Sequence, residues 1–318
     1  MKAAVVREAG TPPVYADFPE PEPAPGERLV TVSASALSHL TRARASGAHY
    51  SAGGRFPFVA GVDGVGRLDD GTRVYFLLPR APYGAMAERV AVAASQIVPL
   101  PDGLDDASAA AIANPGMSSW AAYAERARLK AGETVLVNGA TGTGGRLAVQ
   151  IAKFLGAKTV IAVARNEAAL TEVMALGADK AIALGEDAAA LDRALRDAFA
   201  GGVDVVIDYL WGESAERILA AAAKAAPDIR PIRFVQIGAA SGADIHLPAA
   251  ALRAKAIELM GSGLGSVEPS RLLHAIDEVF RAVGAAGLEV AFKTAPLSDV
   301  ERAWGQNEGT RRTVFTMG

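Results

Sequence analysis

The stretch VLVNGATGTGGRLAVQIAKFLGA, residues 135–157, decides the fold of this chain. A β-branched run leads into a turn of small and hydroxyl residues, and a segment with helical spacing follows, beginning near Arg146. Gly139, Gly142 and Gly145 lie three residues apart in the turn. Glycine allows a sharp strand-to-helix turn and lets a diphosphate approach the backbone N–H groups at the positive end of the helix. The pattern predicts a dinucleotide site, with a glycine-rich packing turn as the alternative.

The rest of the chain supplies the context for this turn. Apolar runs such as TVIAVA, VDVVIDY and RFVQIG alternate with Ala-rich helical segments, which predicts a doubly wound parallel sheet with helices on both faces. Before about residue 115, short β-rich pieces are separated by Gly and Pro, which predicts an antiparallel, partly closed β-domain. The last apolar piece, TVFTM, is expected to return to that domain. The predicted domains are residues 1–115 plus 285–318, and residues 116–284.

Composition narrows the classes of partner. Lys plus Arg (32) nearly balances Asp plus Glu (35), so we expect small-molecule partners rather than nucleic acid or a membrane. The absence of cysteine excludes disulfides, thiolate nucleophiles and thiolate metal ligands. Arg7 interrupts the N-terminal apolar residues, and no later stretch approaches about 20 uninterrupted apolar residues. The sequence therefore predicts a cytoplasmic protein.

The residues after the second strand of the glycine-turn unit predict which dinucleotide binds. Asp or Glu there would favour NAD, because a carboxylate accepts hydrogen bonds from both ribose hydroxyls and repels a 2′-phosphate. In this chain Ala164 or Arg165 stands at that place, and an arginine offers a planar, charged fork to a phosphate. NADPH is the predicted cofactor. The alternatives are that Arg165 is a solvated loop residue or that it pairs with Glu167.

Four stretches together resemble the medium-chain dehydrogenase/reductase superfamily over essentially the whole chain: FPFVAGVDGVGRL (56–68), NPGMSSWAAY (114–123), NGATGTGGRLAVQIAK (138–153) and RNEAALTEVMALGAD (165–179). The resemblance implies an α/β protein in which a Rossmann domain is inserted into a GroES-like, partly open β-barrel domain. It also implies a homodimer that forms through the last strands of the nucleotide sheet, around residues 257–263.

Many members of the superfamily are zinc alcohol dehydrogenases. Their three catalytic zinc ligands correspond to Ser38, Val62 and Asn114 of this chain, and none of these offers the thiolate, imidazole or carboxylate that zinc requires. The four-cysteine lobe that holds structural zinc is absent as well. We therefore expect no metal, and the chain resembles the zinc-free quinone oxidoreductase-like branch.

That branch implies NADPH-dependent reduction of quinones or α,β-unsaturated carbonyls by direct hydride transfer, because such acceptors are already electrophilic. One alternative is metal-free reduction of a ketone or aldehyde, for which Tyr50 or His39 would supply the proton. Another is an NADPH-binding protein without catalytic activity, of the kind that serves in the lens or binds RNA. The balanced charge disfavours RNA.

The candidate site residues fall into two groups. Catalytic roles are predicted for Ser38, Tyr50 and Asn114; for Tyr50 the alternative is a partly exposed tyrosine, and for Asn114 a helix cap before Pro115. Asp63 is expected to support the fold by pairing with an arginine. Core packing is predicted for Trp211, with stacking near the cofactor or substrate as the alternative. A solvated charge pair is predicted for Arg311 and Arg312, with a phosphate contact as the alternative. Cofactor contacts are predicted for Gly139, Gly142, Thr143, Gly144, Gly145, Arg165, Asn166, Gly238 and Gly263.

Overall fold

A computed structural model describes residues 1–47, 55–185, 187–306 and 311–318. The chain forms two compact units. Unit one comprises Met1–Asn114, Ile276–Arg281 and Glu289–Gly318, and unit two comprises Pro115–Ala275 and Ala282–Leu288.

The strands of the described residues follow in chain order. They are β1 (Lys2–Val6), β2 (Val14–Asp17), β3 (Glu27–Ala36), β4 (Phe58–Val59), β5 (Asp63–Leu68), β6 (Arg73–Leu77), β7 (Arg89–Ala93), β8 (Ile97–Pro99), β9 (Thr134–Asn138), β10 (Thr159–Ala164), β11 (Lys180–Ala183), β12 (Val205–Asp208), β13 (Ile232–Gln236), β14 (Ile257–Gly261), β15 (Phe292–Pro296) and β16 (Arg312–Thr316).

The α-helices are α1 (His39–Ala45), α2 (Asp106–Ala121), α3 (Thr143–Phe154), α4 (Glu167–Ala175), α5 (Ala188–Ala200), α6 (Gly212–Ala225), α7 (Ala249–Ala254), α8 (Pro269–Ala286) and α9 (Val300–Trp304). Short 3-10 turns cover Ala94–Gln96 and Leu297–Asp299, and a π-helical segment, Ala122–Ala127, continues α2. Within the described part of the chain, no helix combines the length and apolar character needed to cross a membrane.

Unit two is built on a six-stranded parallel sheet in the order β11-β10-β9-β12-β13-β14. Each connection is a crossover, and the direction of winding reverses between β9 and β12. Right-handed crossovers therefore place α3 and α4 on one face of the sheet and α5 and α6 on the other. The predicted doubly wound Rossmann sheet is confirmed.

The core of unit two explains why these strands read as continuous apolar runs. Both faces of the sheet are covered, so neighbouring strand residues are buried whichever way their side chains point. The fully buried members include Leu136, Val163, Val206, Phe199 and Ile218. β-branched residues in the strands and alanine or leucine in the helices match the preferences of the two element types.

Unit one contains mostly antiparallel strand pairs, as predicted, but its β15 and β16 pair in parallel. Its larger sheet has the order β15-β16-β3-β5-β6-β8, with β7 also paired to β3, and a smaller sheet has the order β2-β1-β4. The predicted strand TVFTM, residues 313–317, overlaps β16, which ends at Thr316. β16 pairs antiparallel with β3 and brings Val314 opposite Ala36. The C-terminal strand thus returns to the sheet formed by the N-terminal part, as expected.

Candidate functional site

The glycine turn joins β9 to α3 in unit two. Gly139 has a φ of +88°, which favours glycine, and its N–H donates to the Val163 carbonyl at 2.9 Å. The Gly142 N–H donates to the Gly139 carbonyl at 3.1 Å and closes the turn. The expectation that the helix begins near Arg146 is wrong, because it begins at Thr143. Gly142 is the N-cap, and its carbonyl already accepts the Arg146 N–H at 2.9 Å.

The glycines of the turn meet different constraints. A Cβ on Gly145 would lie 2.2 Å from the Gly139 carbonyl oxygen, so close packing of α3 on the turn requires glycine there. A Cβ on Gly144 would lie 2.9 Å from the ring of Tyr209. At Gly142, by contrast, a Cβ would meet only the Gly139 oxygen, at 3.6 Å, and the residue is exposed. Space is therefore open beside the Gly142 backbone.

The open space lies at the positive end of α3. Among the described residues no side chain caps this end, and the first intrahelical bond comes from the Arg146 N–H. The N–H groups of residues 143–145 thus have no acceptor within the helix. Together with the helix dipole, they favour a negatively charged group beside Gly142.

Arg146 is a feature that sequence reasoning missed. Its Nε donates to the Thr141 carbonyl at 3.1 Å, and its Nη2 donates to Glu172 of α4 at 2.5 Å. The side chain thereby ties the turn to the helix that follows β10. In the sequence it reads only as a polar helix residue, so no signal pointed to this contact.

The end of β10 presents the two predicted polar residues next to each other. Asn166 is the N-cap of α4, and its Oδ1 accepts from the Ala169 N–H at 3.0 Å. Arg165 is exposed and has no ion pair with any described residue, so the expected competition from Glu167 is not seen. The guanidinium of Arg165 is available to a ligand.

A buried carboxylate organises the end of β12. Asp208 accepts from the Asn138 side chain at 2.8 Å and from the N–H groups of Leu210 and Trp211 at 3.0 and 3.1 Å. Burial raises the pKa of Asp208 above its ordinary value. These bonds hold Trp211 at a φ of +57°, a strained region for a residue other than glycine. Trp211 packs on the core next to Phe234, with 6.3 Å between ring centroids, in agreement with its predicted packing role.

The ends of β13 and β14 carry the other predicted glycines. A Cβ on Gly238 would lie 2.8 Å from the Tyr209 carbonyl oxygen, so this close approach requires glycine. Gly263 follows β14, and its N–H donates to the Ser266 hydroxyl at 2.8 Å. A cavity of about 300 Å³ opens at this edge of the sheet, lined by Trp211, Gln236, Ala243, Leu259, Met260 and Gly261.

In unit one, the predicted catalytic hydroxyl has a structural task. Ser38 is the N-cap of α1, and its Oγ accepts from the Thr41 N–H at 3.0 Å and lies 2.9 Å from the Thr41 hydroxyl. A catalytic role for Ser38 stays a prediction. Tyr50 lies outside the described residues, so its role also stays a prediction.

Asn114 lies inside α2, so the alternative that it caps a helix before Pro115 is wrong. A proline in a helix removes the N–H that would donate four residues back, here to Ala111. Arg312 of β16 replaces that donor, because its Nη1 bonds to the Ala111 carbonyl at 2.5 Å. The helix can therefore continue through Pro115. The Nδ2 of Asn114 is buried and has no hydrogen-bond partner in the described structure.

Arg312 is not the solvated residue that the sequence predicts. It is 4% exposed, and its Nη2 also donates to the Leu37 carbonyl at 3.3 Å. Its charge acts on Asp63, a wholly buried carboxylate that accepts from the Tyr75 hydroxyl at 3.0 Å. Burial raises the pKa of Asp63 to about 6, while Arg312 and Tyr75 oppose the rise. Arg312 thus acts on Asp63 electrostatically, while support of the fold by a pair of Asp63 with an arginine stays a prediction.

Known proteins share this architecture. A family described as zinc-binding dehydrogenase matches residues 145–281. A probable NADPH-dependent quinone reductase of Emericella nidulans is 31% identical over 98% of this chain and 98% of its own length. The chain belongs to the medium-chain dehydrogenase/reductase superfamily.

Solved structures place it in the quinone oxidoreductase-like branch of that superfamily. The quinone oxidoreductase of Thermus thermophilus, solved alone and in complex with NADPH, superposes with a TM-score of 0.83 at 31% identity over all of both chains. The mycobacterial protein Rv1454c in complex with NADPH superposes with a TM-score of 0.84 at 25% identity over 99% of this chain and 100% of its own.

The zinc-binding description of the matched family does not bear on a metal in this medium-chain dehydrogenase/reductase. The match covers residues 145–281, whereas the three positions that correspond to zinc ligands, Ser38, Val62 and Asn114, all precede it.

The buried carboxyl of Asp63 gives a prediction about pH. Its pKa rises from 3.8 to about 6 in the folded chain, so the folded state binds this proton more tightly than the unfolded state. The contribution of Asp63 to stability is then largest below its ordinary pKa and falls as the pH rises through about 6. We expect the difference in unfolding free energy between the wild type and Asp63→Asn to fall by about 2 kcal/mol between about pH 4 and about pH 6.

Urea unfolding of both proteins at several pH values measures that difference. The other carboxyl groups contribute equally in the two proteins, so their effects cancel in the difference. A difference that stays constant over this range would show that Asp63 titrates as an ordinary carboxyl.

Proposed function

We propose that this chain is an NADPH-dependent, zinc-independent oxidoreductase that reduces quinones or α,β-unsaturated carbonyls. The observation that carries the proposal is the open backbone of Gly142 at the uncapped, positive end of α3. Two relatives support the choice of cofactor and acceptor: the Emericella protein is described as a probable NADPH-dependent quinone reductase, and the Thermus quinone oxidoreductase was solved with NADPH.

The residues of the glycine turn fit a dinucleotide diphosphate. The missing side chain of Gly142 leaves room for it, and the N–H groups of Thr143, Gly144 and Gly145 have no acceptor within the helix. Gly139 and Gly145 serve the site indirectly, because the positive φ of one and the close packing of the other shape the turn.

Arg165 fits the 2′-phosphate that distinguishes NADPH from NADH. It follows β10, the strand next to β9, where the adenosine half of a dinucleotide lies in a doubly wound fold. It is exposed and has no ion pair with a described residue. Its guanidinium can therefore bond to a phosphate without first breaking an ion pair with a carboxylate. The side-chain amide nitrogen of Asn166 is adjacent, while its Oδ1 caps α4.

When bound, NADPH supplies a hydride to an electron-poor acceptor. A quinone or an enone needs no Lewis acid for this step, because its own carbonyl withdraws charge from the carbon that is attacked. The three positions that correspond to zinc ligands fit this chemistry: Ser38 caps a helix, Val62 is a buried apolar residue and Asn114 is an amide. The remaining task of the protein is to orient the reactants and stabilise the oxyanion.

Asn114 suits that task. A buried amide nitrogen without a partner is costly, and the cost is removed when a ligand oxygen accepts its hydrogen bond. We assign Asn114 as a donor to the acceptor carbonyl or to the nicotinamide carboxamide. Catalytic roles for Ser38 and Tyr50 stay predictions.

The chain is proposed to be a homodimer that pairs through β14. This strand is at the edge of the parallel sheet and leaves Leu259 39% exposed, an arrangement that favours pairing with a second copy. A solution mass of one chain by sedimentation would contradict the dimer. The domain limits of 1–115 plus 285–318 and of 116–284 stay predictions, as does a cytoplasmic location, which cell fractionation would test.

Two substitutions in the glycine turn distinguish its role in cofactor binding from its role in folding. Gly142→Ala should change the free energy of unfolding by about 1 kcal/mol or less, because its Cβ meets open space, but should weaken NADPH binding about tenfold or more. Gly145→Ala should cost about 2 kcal/mol or more, because its Cβ lies 2.2 Å from a carbonyl oxygen. Urea unfolding and fluorescence titration with NADPH measure the two effects. Equal losses of stability in both variants would argue that the turn is only a packing device.

Arg165→Ala should lower the affinity for NADPH by about 10- to 100-fold, the loss of a charged hydrogen bond to a phosphate, and leave the affinity for NADH unchanged. Titration of nicotinamide fluorescence with both dinucleotides measures this. Arg193→Ala is the matched control, because Arg193 is an exposed arginine of α5 in the same unit. If the wild type binds NADH as tightly as NADPH, the assignment of Arg165 is wrong.

Turnover tests the function itself. The wild type should oxidise NADPH in the presence of quinones or enones, and Asn114→Leu should lower kcat/KM by about tenfold or more, because the oxyanion loses a donor. NADPH affinity, measured separately, distinguishes a contact to the nicotinamide from one to the acceptor. If no acceptor raises the rate above that without enzyme, the reductase proposal fails, and the protein is a cofactor-binding protein or acts on another class of substrate.

A further inference from the structure

Tyr209 occupies an unusual place in unit two. It directly follows β12, and its ring packs on the glycine turn, where a Cβ on Gly144 would lie 2.9 Å from the nearest ring carbon. Any residue larger than glycine at position 144 would displace this ring. The packing of the Tyr209 ring therefore depends on the glycine at position 144.

The hydroxyl of Tyr209 fixes the ring in place. It lies 2.7 Å from the Oγ of Ser119, which in turn lies 2.9 Å from the Pro115 carbonyl and 3.2 Å from the Gly144 carbonyl. The two hydroxyls share this hydrogen bond, and either of them can be the donor. Burial also raises the pKa of Tyr209, which keeps the phenol neutral.

The backbone of Tyr209 also packs closely on Gly238, a second residue predicted to contact the cofactor. Its N–H donates to the Asn138 carbonyl at 3.1 Å, and its carbonyl oxygen lies 2.8 Å from the position of a Cβ on Gly238. Tyr209 thus stands between Gly144 and Gly238, at the carboxyl ends of β9, β12 and β13. The residue is only half-buried, so part of it remains accessible to a ligand.

The strand order indicates which half of the cofactor meets this ring. The diphosphate of a dinucleotide crosses the sheet where the winding reverses, here between β9 and β12. Arg165 lies on the β10 side, with the adenosine half, so the nicotinamide half extends over β12 and β13. We propose that the ring of Tyr209 is the surface that positions the nicotinamide half of NADPH. The proposal rests on the proposed function, and it makes Tyr209 a positioning residue.

The test compares two ligands on one variant. NADPH carries the nicotinamide, whereas 2′-phospho-ADP-ribose keeps the adenosine, the 2′-phosphate and the diphosphate but lacks the nicotinamide ring. Tyr209→Leu should raise the Kd for NADPH about tenfold, the loss of one aromatic contact, and change the Kd for 2′-phospho-ADP-ribose by less than about twofold. Isothermal titration calorimetry measures both without turnover.

Two conservative variants serve as controls. They distinguish the effect of the Tyr209 ring on binding from the effect of its hydroxyl and from a general loss of packing. Tyr209→Phe keeps the ring and should bind both ligands within about twofold of the wild type. Tyr123→Phe removes the hydroxyl of a fully buried tyrosine of unit two, which donates to the Ala148 carbonyl at 2.9 Å, and should change neither affinity. If Tyr209→Leu does not fold, Gly144→Ala replaces it, because the added Cβ displaces the ring from the opposite side.

The outcomes are distinct. Selective loss of NADPH affinity supports the assignment. Equal loss of both ligands would show that Tyr209 only holds the glycine turn, and no loss of either would show that the ring has no contact with the cofactor; each overturns the inference. If the wild type binds neither ligand, the proposed function itself fails.

Discussion

The approach of α3 to the carbonyl of Gly139 is the constraint on which unit two depends. Because Gly145 has no side chain, the first turn of the helix packs directly on the turn that follows β9. This contact fixes where the uncapped N–H groups of residues 143–145 lie, and so where a negative group is stabilised. The same packing leaves space beside Gly142. The absence of a side chain at Gly145 therefore shapes the fold, and its absence at Gly142 opens the site.

Around this turn, hydrogen bonds join polar groups of neighbouring elements. Arg146 links the turn to α4, and the carboxylate of Asp208 holds the strained Trp211 at the start of α6. Arg146 belongs to the first turn of α3, and Asp208 ends β12. The strain at Trp211 is maintained because hydrogen bonds to a buried carboxylate are stronger than those between neutral groups.

Local pattern was enough to predict the fold and the glycine turn, because strand periodicity, glycine spacing and the following helix are all written within residues 135–157. It failed where a distant residue changes a local preference. Asn-Pro is typical of a helix start, yet Asn114 lies inside α2 because Arg312 supplies a donor from the other end of the chain. The contact of Tyr209 with Gly144 was equally hidden, since it joins residues from different βα units.

The bond from Arg312 to Ala111 also has a consequence for the order of folding. The two residues are 201 positions apart, so the ribosome adds the donor long after the acceptor. Until then, the backbone of α2 has an unpaired acceptor in front of Pro115, and β3 lacks its antiparallel neighbour β16. The parallel sheet of unit two is made entirely of residues synthesised earlier. Completion of unit one therefore follows the emergence of β16, although most of its residues are translated first.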